Sequence, residues 1–186
     1  IERLADEIAT LKKQGREILI VSSGAIVSGI KKLQLKEYPK NLPVKQAAAA
    51  VGQSRLMWAY EKAFEHLSIQ VAQILLTHQD LEDRRRFLNA RHTLSTLIDF
   101  GIIPIINEND TVAVDEIRVG DNDTLASEVA HLADADLLVI LSDVDGLYTE
   151  DPRRNPSATL IPFIPAITDD IERLAGMSST FEGTGG

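Results

Sequence analysis

Four short polar segments, each placed directly after an apolar run, carry the residue types that could do chemistry. They are Ser22-Ser23-Gly24-Ala25, Thr77-His78, Asn107-Glu108-Asn109-Asp110 and Ser142-Asp143. In open α/β sheets, ligands bind outside the carboxyl ends of the strands. The sequence therefore predicts a binding site at the sheet edge where these segments meet.

The first segment, Ser22-Ser23-Gly24-Ala25, resembles a turn from a strand into a helix. Glycine allows a tight turn and close approach of a ligand, and the first turn of a helix offers unpaired N–H groups to an anion. These features fit a phosphate or carboxylate site, and they fit equally an ordinary turn with a serine N-cap. The P-loop pattern GxxxxGK[ST] is absent from the sequence, which excludes a P-loop protein of the usual type.

The third segment, 107–110, is followed by a second polar cluster, Gly120-Asp121-Asn122-Asp123-Thr124. Amides and carboxylates at a strand end could hold an α-amino group and orient a carboxylate. The cluster lacks the glycine and final glutamate of an EF-hand loop. The alternative is a polar turn, with Asn122 or Asp123 capping a helix that starts at Thr124.

The residue types argue against a nucleophilic catalytic residue and against a metal site. The four histidines are scattered, there is no cysteine, and Ser23 lacks the G-x-S-x-G context of a nucleophile elbow. We therefore expect each histidine to be an ordinary packed or solvated side chain, and Ser23 not to be a nucleophile.

Helical and strand patterns alternate along the chain, which predicts an α/β fold with a mostly parallel sheet. We expect a single domain over 1–186. The predicted helices are 1–11, 25–33, 46–66, 80–100 and 124–133, the predicted strands are 18–21, 69–76, 102–106 and 137–141, and a hairpin over 112–119 is a further candidate.

Composition describes a globular protein with unevenly placed charge. The chain has 186 residues, 44% of them apolar, and a net charge of −9, which argues against nucleic acid or an anionic membrane as partner. Residues 108–151 hold 13 acidic residues and a single basic one, Arg118. This segment is either a solvated acidic face or a site for a cation. No apolar run approaches 18 residues and no signal peptide is visible.

Ten motifs together resemble the glutamate 5-kinase (γ-glutamyl kinase) family, a branch of the amino acid kinase family. They are Val21-Ser22-Ser23-Gly24-Ala25, Lys45-Gln46, Ala50-Val51-Gly52-Gln53, Arg86-Phe87-Leu88-Asn89-Ala90-Arg91, Ile106-Asn107-Glu108-Asn109-Asp110, Gly120-Asp121-Asn122-Asp123, Leu141-Ser142-Asp143, Gly146-Leu147-Tyr148-Thr149, Asp151-Pro152-Arg153 and Gly183-Thr184-Gly185-Gly186. The resemblance implies a three-layer α/β/α sandwich with a mostly parallel central sheet. It also implies phosphoryl transfer from ATP to the γ-carboxylate of L-glutamate, the first step of proline biosynthesis.

The resemblance also implies roles for particular residues, with no metal ligand among them. The substrate-binding residues would be Ser23, Gly24, Ala25, Asn107, Asp110 and Asn122. Asp123 would be a catalytic carboxylate that orients lysines. The nucleotide-binding residues would be Ser142, Asp143, Gly146, Tyr148, Asp151, Pro152, Thr184 and Gly185. Mg²⁺ would be bound mainly through the phosphates of ATP.

The same resemblance implies a cytoplasmic enzyme that forms dimers or tetramers and is inhibited by proline. Two lysines of the family pattern would lie before Ile1 and after Gly186, so we expect the chain to lack its N-terminal strand and C-terminal part and to have little activity alone. Three alternatives stay open. They are another family member such as acetylglutamate, carbamate, uridylate or aspartate kinase, the kinase half of a bifunctional pyrroline-5-carboxylate synthase, and a non-catalytic glutamate- or proline-binding module.

Overall fold

Three parallel strands form the centre of the computed structural model, which describes residues 1–113, 121–142 and 144–176. In these ranges the strands are β1 (Ile20–Val21), β2 (Val71–Leu76) and β3 (Ile103–Glu108), in the order β1-β3-β2. The helices are α1 (Glu2–Lys13), α2 (Ala25–Leu33), α3 (Leu42–Glu65), α4 (His78–Glu82), α5 (Arg84–Asp99), α6 (Asp121–Leu132) and α7 (Asp169–Gly176). The predicted α/β class with a parallel sheet is confirmed.

Helices cover both faces of the sheet because the side chains of β3 alternate between two buried clusters. Ile103 and Ile105 pack with α1 and α3, in a cluster that includes Ile8 and Phe64. Ile106 points the other way and packs with residues of α5 and α6, among them Leu94 and Leu132. This alternation is the geometry of a strand buried on both faces, and it produces the predicted three layers.

Pro104 lies inside the central strand, a position that normally excludes proline because it cannot donate to the ladder. The N–H of its neighbour Ile103 donates to Gln70 O, next to β2. Successive N–H groups of a strand point to opposite sides, so the position of the missing N–H of Pro104 faces β1. The β1 pairing begins one residue later, at Ile20 opposite Ile105. The proline therefore removes no bond of this sheet.

Two helix predictions are wrong at their boundaries, in each case because of a local cap. Helix α3 begins at Leu42 rather than 46, since the Asn41 side chain accepts from Val44 N at 3.0 Å. The predicted helix 80–100 is two helices, because the Asp83 side chain accepts from Arg86 N at 2.9 Å and starts α5. An apolar stripe that continues across both helices hides this break.

The predicted cap of α6 is also wrong. The helix begins at Asp121, so Asn122 and Asp123 belong to its first turn. The Asn122 side chain instead reaches the backbone of Ser22, and its Nδ2 donates to that carbonyl at 3.4 Å.

The predicted strand 137–141 does not form. Its residues pair with no strand in the part of the chain described here, and Leu137 and Leu141 are 77% and 76% exposed. An apolar run becomes a strand only when a neighbour supplies the ladder, so the pattern alone was insufficient. Most of the candidate hairpin 112–119 lies outside the described residues.

Helices α2 and α3 touch backbone to backbone at two glycines. A Cβ on Gly52 would lie 1.7 Å from the carbonyl oxygen of Ala25, and one on Gly29 would lie 1.8 Å from that of Ala48. Real Cβ atoms do not approach this closely, so only glycine fits at these two positions. The contact fixes the start of α2 against the middle of α3.

Candidate functional site

The structure brings three of the predicted polar segments to one edge of the sheet. Ser22 N donates to Ile106 O at 2.8 Å, which aligns the turn after β1 with the end of β3. Asn109 N donates to Leu76 O at 2.8 Å, at the end of β2. With Asn122 against Ser22, the turn 22–25, the segment 107–110 and the start of α6 form one group.

Helix α3 holds two of these strand ends through buried side chains seven residues apart. The hydroxyls of Tyr60 and Ser22 are 2.9 Å apart in a buried hydrogen bond. Gln53 Oε1 accepts from Asn107 Nδ2 at 2.9 Å. Residues seven apart lie on the same helix face, so α3 fixes the ends of both β1 and β3.

We expect Tyr60→Phe to lower the free energy of unfolding by about 1 kcal/mol, because it removes one buried hydrogen bond while keeping the ring. The Ser22 hydroxyl also contacts Ser23 O at 3.3 Å, which limits the loss. Denaturant unfolding of the variant beside the parent measures the difference. An unchanged midpoint would show that the contact contributes nothing to stability.

The turn into α2 leaves the helix start open. Gly24 is the N-cap with φ 97°, a backbone conformation that favours glycine, and none of the described side chains caps the helix. The serine N-cap that the sequence allowed is therefore wrong. Ser23 and Gly24 are exposed, whereas Ala25 is buried against α3. The first N–H groups of a nine-residue helix are thus available to an anion at this edge.

Asp110 is a buried carboxylate that has no cationic partner among the residues that the structure describes. It is 8% exposed and makes no hydrogen bond or ion pair with any residue in the described ranges. Burial raises the pKa of this carboxyl to about 6. Burial and the nearby Asp110 charge together raise the pKa of Tyr38. A buried carboxylate that the described part of the chain leaves unpaired suits a ligand that brings a positive charge, such as an ammonium group.

Asp110 also predicts a pH dependence of stability. Its pKa is 3.8 unperturbed and about 6 when folded, so the folded state binds more protons across this interval. Stability contributed by the protonated form is present below pH 3.8 and is lost as pH rises through about 6. We therefore expect Asp110→Asn to stabilise the ligand-free protein at pH 8 by about 1 kcal/mol, after allowing for solvent screening.

Denaturant unfolding of both proteins at pH 4 and pH 8 tests this. The stabilisation by asparagine should nearly vanish at pH 4, where the aspartic acid is itself largely neutral. An equal difference at both pH values would contradict the shifted pKa.

The other predicted substrate residues differ in accessibility. Asn107 is 2% exposed, and both of its amide atoms are used, since its Oδ1 also accepts from Glu108 N at 2.9 Å. Asn122 is half-buried, and Asp123 is exposed on the first turn of α6. Asn107 thus holds the strand end in this structure, while Asp123 faces solvent.

The predicted nucleotide residues lie on a separate turn region. Tyr148 and Leu160 form an isolated antiparallel β-bridge, and Ile161 N donates to Leu147 O at 2.8 Å. Ser142 and Gly146 are exposed, as are Asp151 and Pro152, and the Asp151 side chain accepts from Arg153 N at 2.9 Å. In the described ranges, no hydrogen bond joins this region to the turn 22–25. Asp143, Thr184 and Gly185 lie outside the described residues.

Two further properties bear on ligands and membranes. Among the described residues, no group of three or more His, Cys, Asp or Glu is placed to hold a metal ion. No helix within them is both long and apolar enough to cross a membrane.

Sequence reasoning missed Gln53, Tyr60 and Tyr38 as neighbours of the site. Gln53 and Tyr60 are polar positions seven apart on the buried face of α3, and this spacing is a signal that could have indicated them. Tyr38 lies in the connection before α3, and nothing in its local pattern points to Asp110.

Comparison with known proteins agrees with the motifs. The family model described as "Amino acid kinase family" matches residues 1–182. The chain is 59% identical to a glutamate 5-kinase of Geobacter metallireducens and 58% identical to one of Carboxydothermus hydrogenoformans. Both alignments cover 100% of this chain and 50% of the relative. The chain therefore spans about half the length of the curated relatives it matches, and the resemblance predicted from the motifs is confirmed.

Proposed function

Because the chain belongs to the amino acid kinase family, we propose that the complete protein containing it transfers the γ-phosphoryl group of ATP to the γ-carboxylate of L-glutamate. The product is glutamyl 5-phosphate, an acyl phosphate and the first intermediate of proline biosynthesis. The relatives named glutamate 5-kinase support this substrate. The structural observation that carries the proposal is Asp110, a buried carboxylate without a partner among the described residues.

The reaction needs positioning and charge neutralisation rather than a general base. A glutamate γ-carboxyl has a pKa near 4.3, so it is ionised at pH 7 and already nucleophilic. One of its oxygens attacks the γ-phosphorus, the bond from phosphorus to the β,γ-bridging oxygen breaks, and ADP leaves with the electron pair. In this proposal Asp110 receives the α-ammonium group of glutamate. The open start of α2, at Ser23, Gly24 and Ala25, faces the anionic end of the substrate, where the phosphoryl group is transferred.

The nucleotide part of the proposal rests on family resemblance. ATP would contact Ser142, Asp143, Gly146, Tyr148, Asp151, Pro152, Thr184 and Gly185. Mg²⁺ neutralises phosphate charge and would enter bound to the nucleotide. Asp123, which is exposed in the first turn of α6, would be the catalytic carboxylate that orients lysines of the complete protein.

An ADP-release assay on the complete protein tests the function. We expect turnover that requires both ATP and L-glutamate, and trapping with hydroxylamine should give the γ-hydroxamate, because acyl phosphates react with it. Turnover only with N-acetylglutamate, carbamate or UMP would assign another member of the family. Binding of glutamate without any turnover would identify a non-catalytic module.

The rate should also depend on pH through Asp110. An ammonium group pairs with the ionised carboxylate, whose pKa in the ligand-free protein is about 6. We expect kcat/KM for glutamate to fall about tenfold for each pH unit below this value. Measuring kcat/KM for glutamate at saturating ATP from pH 5 to 8 checks this, and a flat profile would contradict the role of Asp110.

Four further features belong to the same proposal. They are competitive inhibition by proline, a homo-oligomeric dimer or tetramer, a cytoplasmic location, and one kinase domain that includes residues 1–186. Proline that fails to compete with glutamate in the ADP-release assay would remove the first. Light scattering of the complete protein would test the second.

A further inference from the structure

We propose that Gln53 is a binding residue of the glutamate site: it orients Asn107, and it donates an Nε2 hydrogen that has no partner among the described residues to an oxygen that arrives with the substrate. The inference rests on the proposed function and goes beyond it, since Gln53 has no role in the predictions from sequence. It depends on three observations, which are a directed chain of hydrogen bonds, a buried donor left open, and the position of Gln53 between two parts of the site.

The direction of the hydrogen-bond chain is fixed by the backbone. Glu108 N can only donate, so the Asn107 atom that it meets at 2.9 Å is the oxygen. The Asn107 nitrogen must then face Gln53, and it donates to Gln53 Oε1 at 2.9 Å. Flipping either amide would place two donors or two acceptors together. The Nε2 of Gln53 is therefore at the far end of the chain.

That far end is an open donor. Gln53 is 9% exposed, and its Nε2 is buried with no hydrogen-bond partner among the residues that the structure describes. A buried donor without an acceptor costs roughly 1–3 kcal/mol, and such groups are rare in folded proteins. An acceptor that arrives with a ligand would remove this cost, and a carboxylate oxygen is the strongest acceptor available.

The location of Gln53 connects it to both sides of the site. Its neighbour Gly52 packs against the carbonyl of Ala25, at the open start of α2. Its partner Asn107 lies three residues before Asp110 on the same strand end. A substrate with an ammonium group near Asp110 and carboxylate oxygens toward α2 would pass close to this amide, which it would meet directly or through one bridging water.

Gln53→Glu in the complete protein tests the donor. Glutamate keeps the oxygen that accepts from Asn107 and replaces the Nε2 donor by a second oxygen. At pH 8 we expect the KM for L-glutamate to rise at least tenfold, the cost of one hydrogen bond to a charged group, while the KM for ATP stays within twofold. The same change at an exposed glutamine of β2, Gln73→Glu, is the matched control and should alter neither constant.

A folded Gln53→Glu protein whose KM for glutamate is unchanged, beside an active parent, would overturn the inference alone. Lack of glutamate-dependent turnover in the parent would instead overturn the proposed function, and this inference with it. A lower melting temperature with both KM values unchanged would indicate a purely structural glutamine, which also contradicts the inference.

A second measurement does not depend on the variant's folding. In a crystal structure of the parent with L-glutamate, we expect a substrate or bridging water oxygen within about 3.2 Å of Gln53 Nε2. The ligand-free crystal should lack a protein acceptor there. An acceptor from the chain itself in the ligand-free crystal, or an open donor in the glutamate complex, would overturn the inference.

Discussion

Asp110→Asn is expected to raise the KM for L-glutamate at least 30-fold in the complete protein, because truncating one partner of a buried charge pair costs roughly 2–5 kcal/mol. Asparagine keeps the shape of the side chain but offers the α-ammonium group no negative charge. The nucleotide does not share this contact in the proposed site, so the KM for ATP should change less than twofold. Steady-state kinetics with each substrate varied in turn measures both constants.

Asp99→Asn is the matched control, because Asp99 is exposed at the end of α5. It should leave both constants unchanged. A similar rise in the two KM values for Asp110→Asn would point to general damage of the site. No rise at all would show that the ammonium group binds elsewhere, and the observation carrying the proposed function would be lost.

The meeting of the polar segments was predictable because it follows from topology. Parallel strands end at one edge of a sheet, so Ser22 and Asn107 had to lie at the same edge once β1 and β3 were assigned. Their direct contact also required β1 and β3 to be neighbours, which the sequence did not indicate. The contacts from α3 were not predictable in this way. Gln53 and Asn107 are 54 residues apart, and Tyr60 and Ser22 are 38 apart. Such pairs depend on how the helix docks, which local patterns do not specify.

The wrong secondary-structure predictions arose because a local apolar pattern indicates which residues are buried, but does not indicate which strand pairs with which or where a helix is capped. The run 137–141 has the composition of a buried strand, but a ladder requires a neighbouring backbone, and no described strand provides one. The break at Asp83 is the reverse case. There one side chain ended a helix that the apolar periodicity alone would have continued.

Gly52→Ala is expected to lower the free energy of unfolding by more than about 3 kcal/mol, beyond the usual cost of overpacking a core. The added Cβ would lie 1.7 Å from the carbonyl oxygen of Ala25 and 2.5 Å from the backbone nitrogen of Gly29. Both neighbours are backbone atoms, so no side-chain rotation can relieve the contact. Helix α3 must move away from α2, which shifts both the turn 22–25 and Gln53. Activity should therefore fall at least 100-fold, since small displacements in a site cost about this much.

Gly15→Ala separates this steric effect from backbone strain. Gly15 has φ 80° and an added Cβ there would meet nothing within 4 Å, so only the strain of a left-handed residue applies, about 1 kcal/mol. Denaturant unfolding should show a loss of stability for Gly52→Ala that is clearly larger than the loss for Gly15→Ala. Glutamate-dependent turnover should fall strongly only in Gly52→Ala. If Gly52→Ala lowers stability and turnover no more than Gly15→Ala does, α2 and α3 can separate without cost. Their contact would then not position the site.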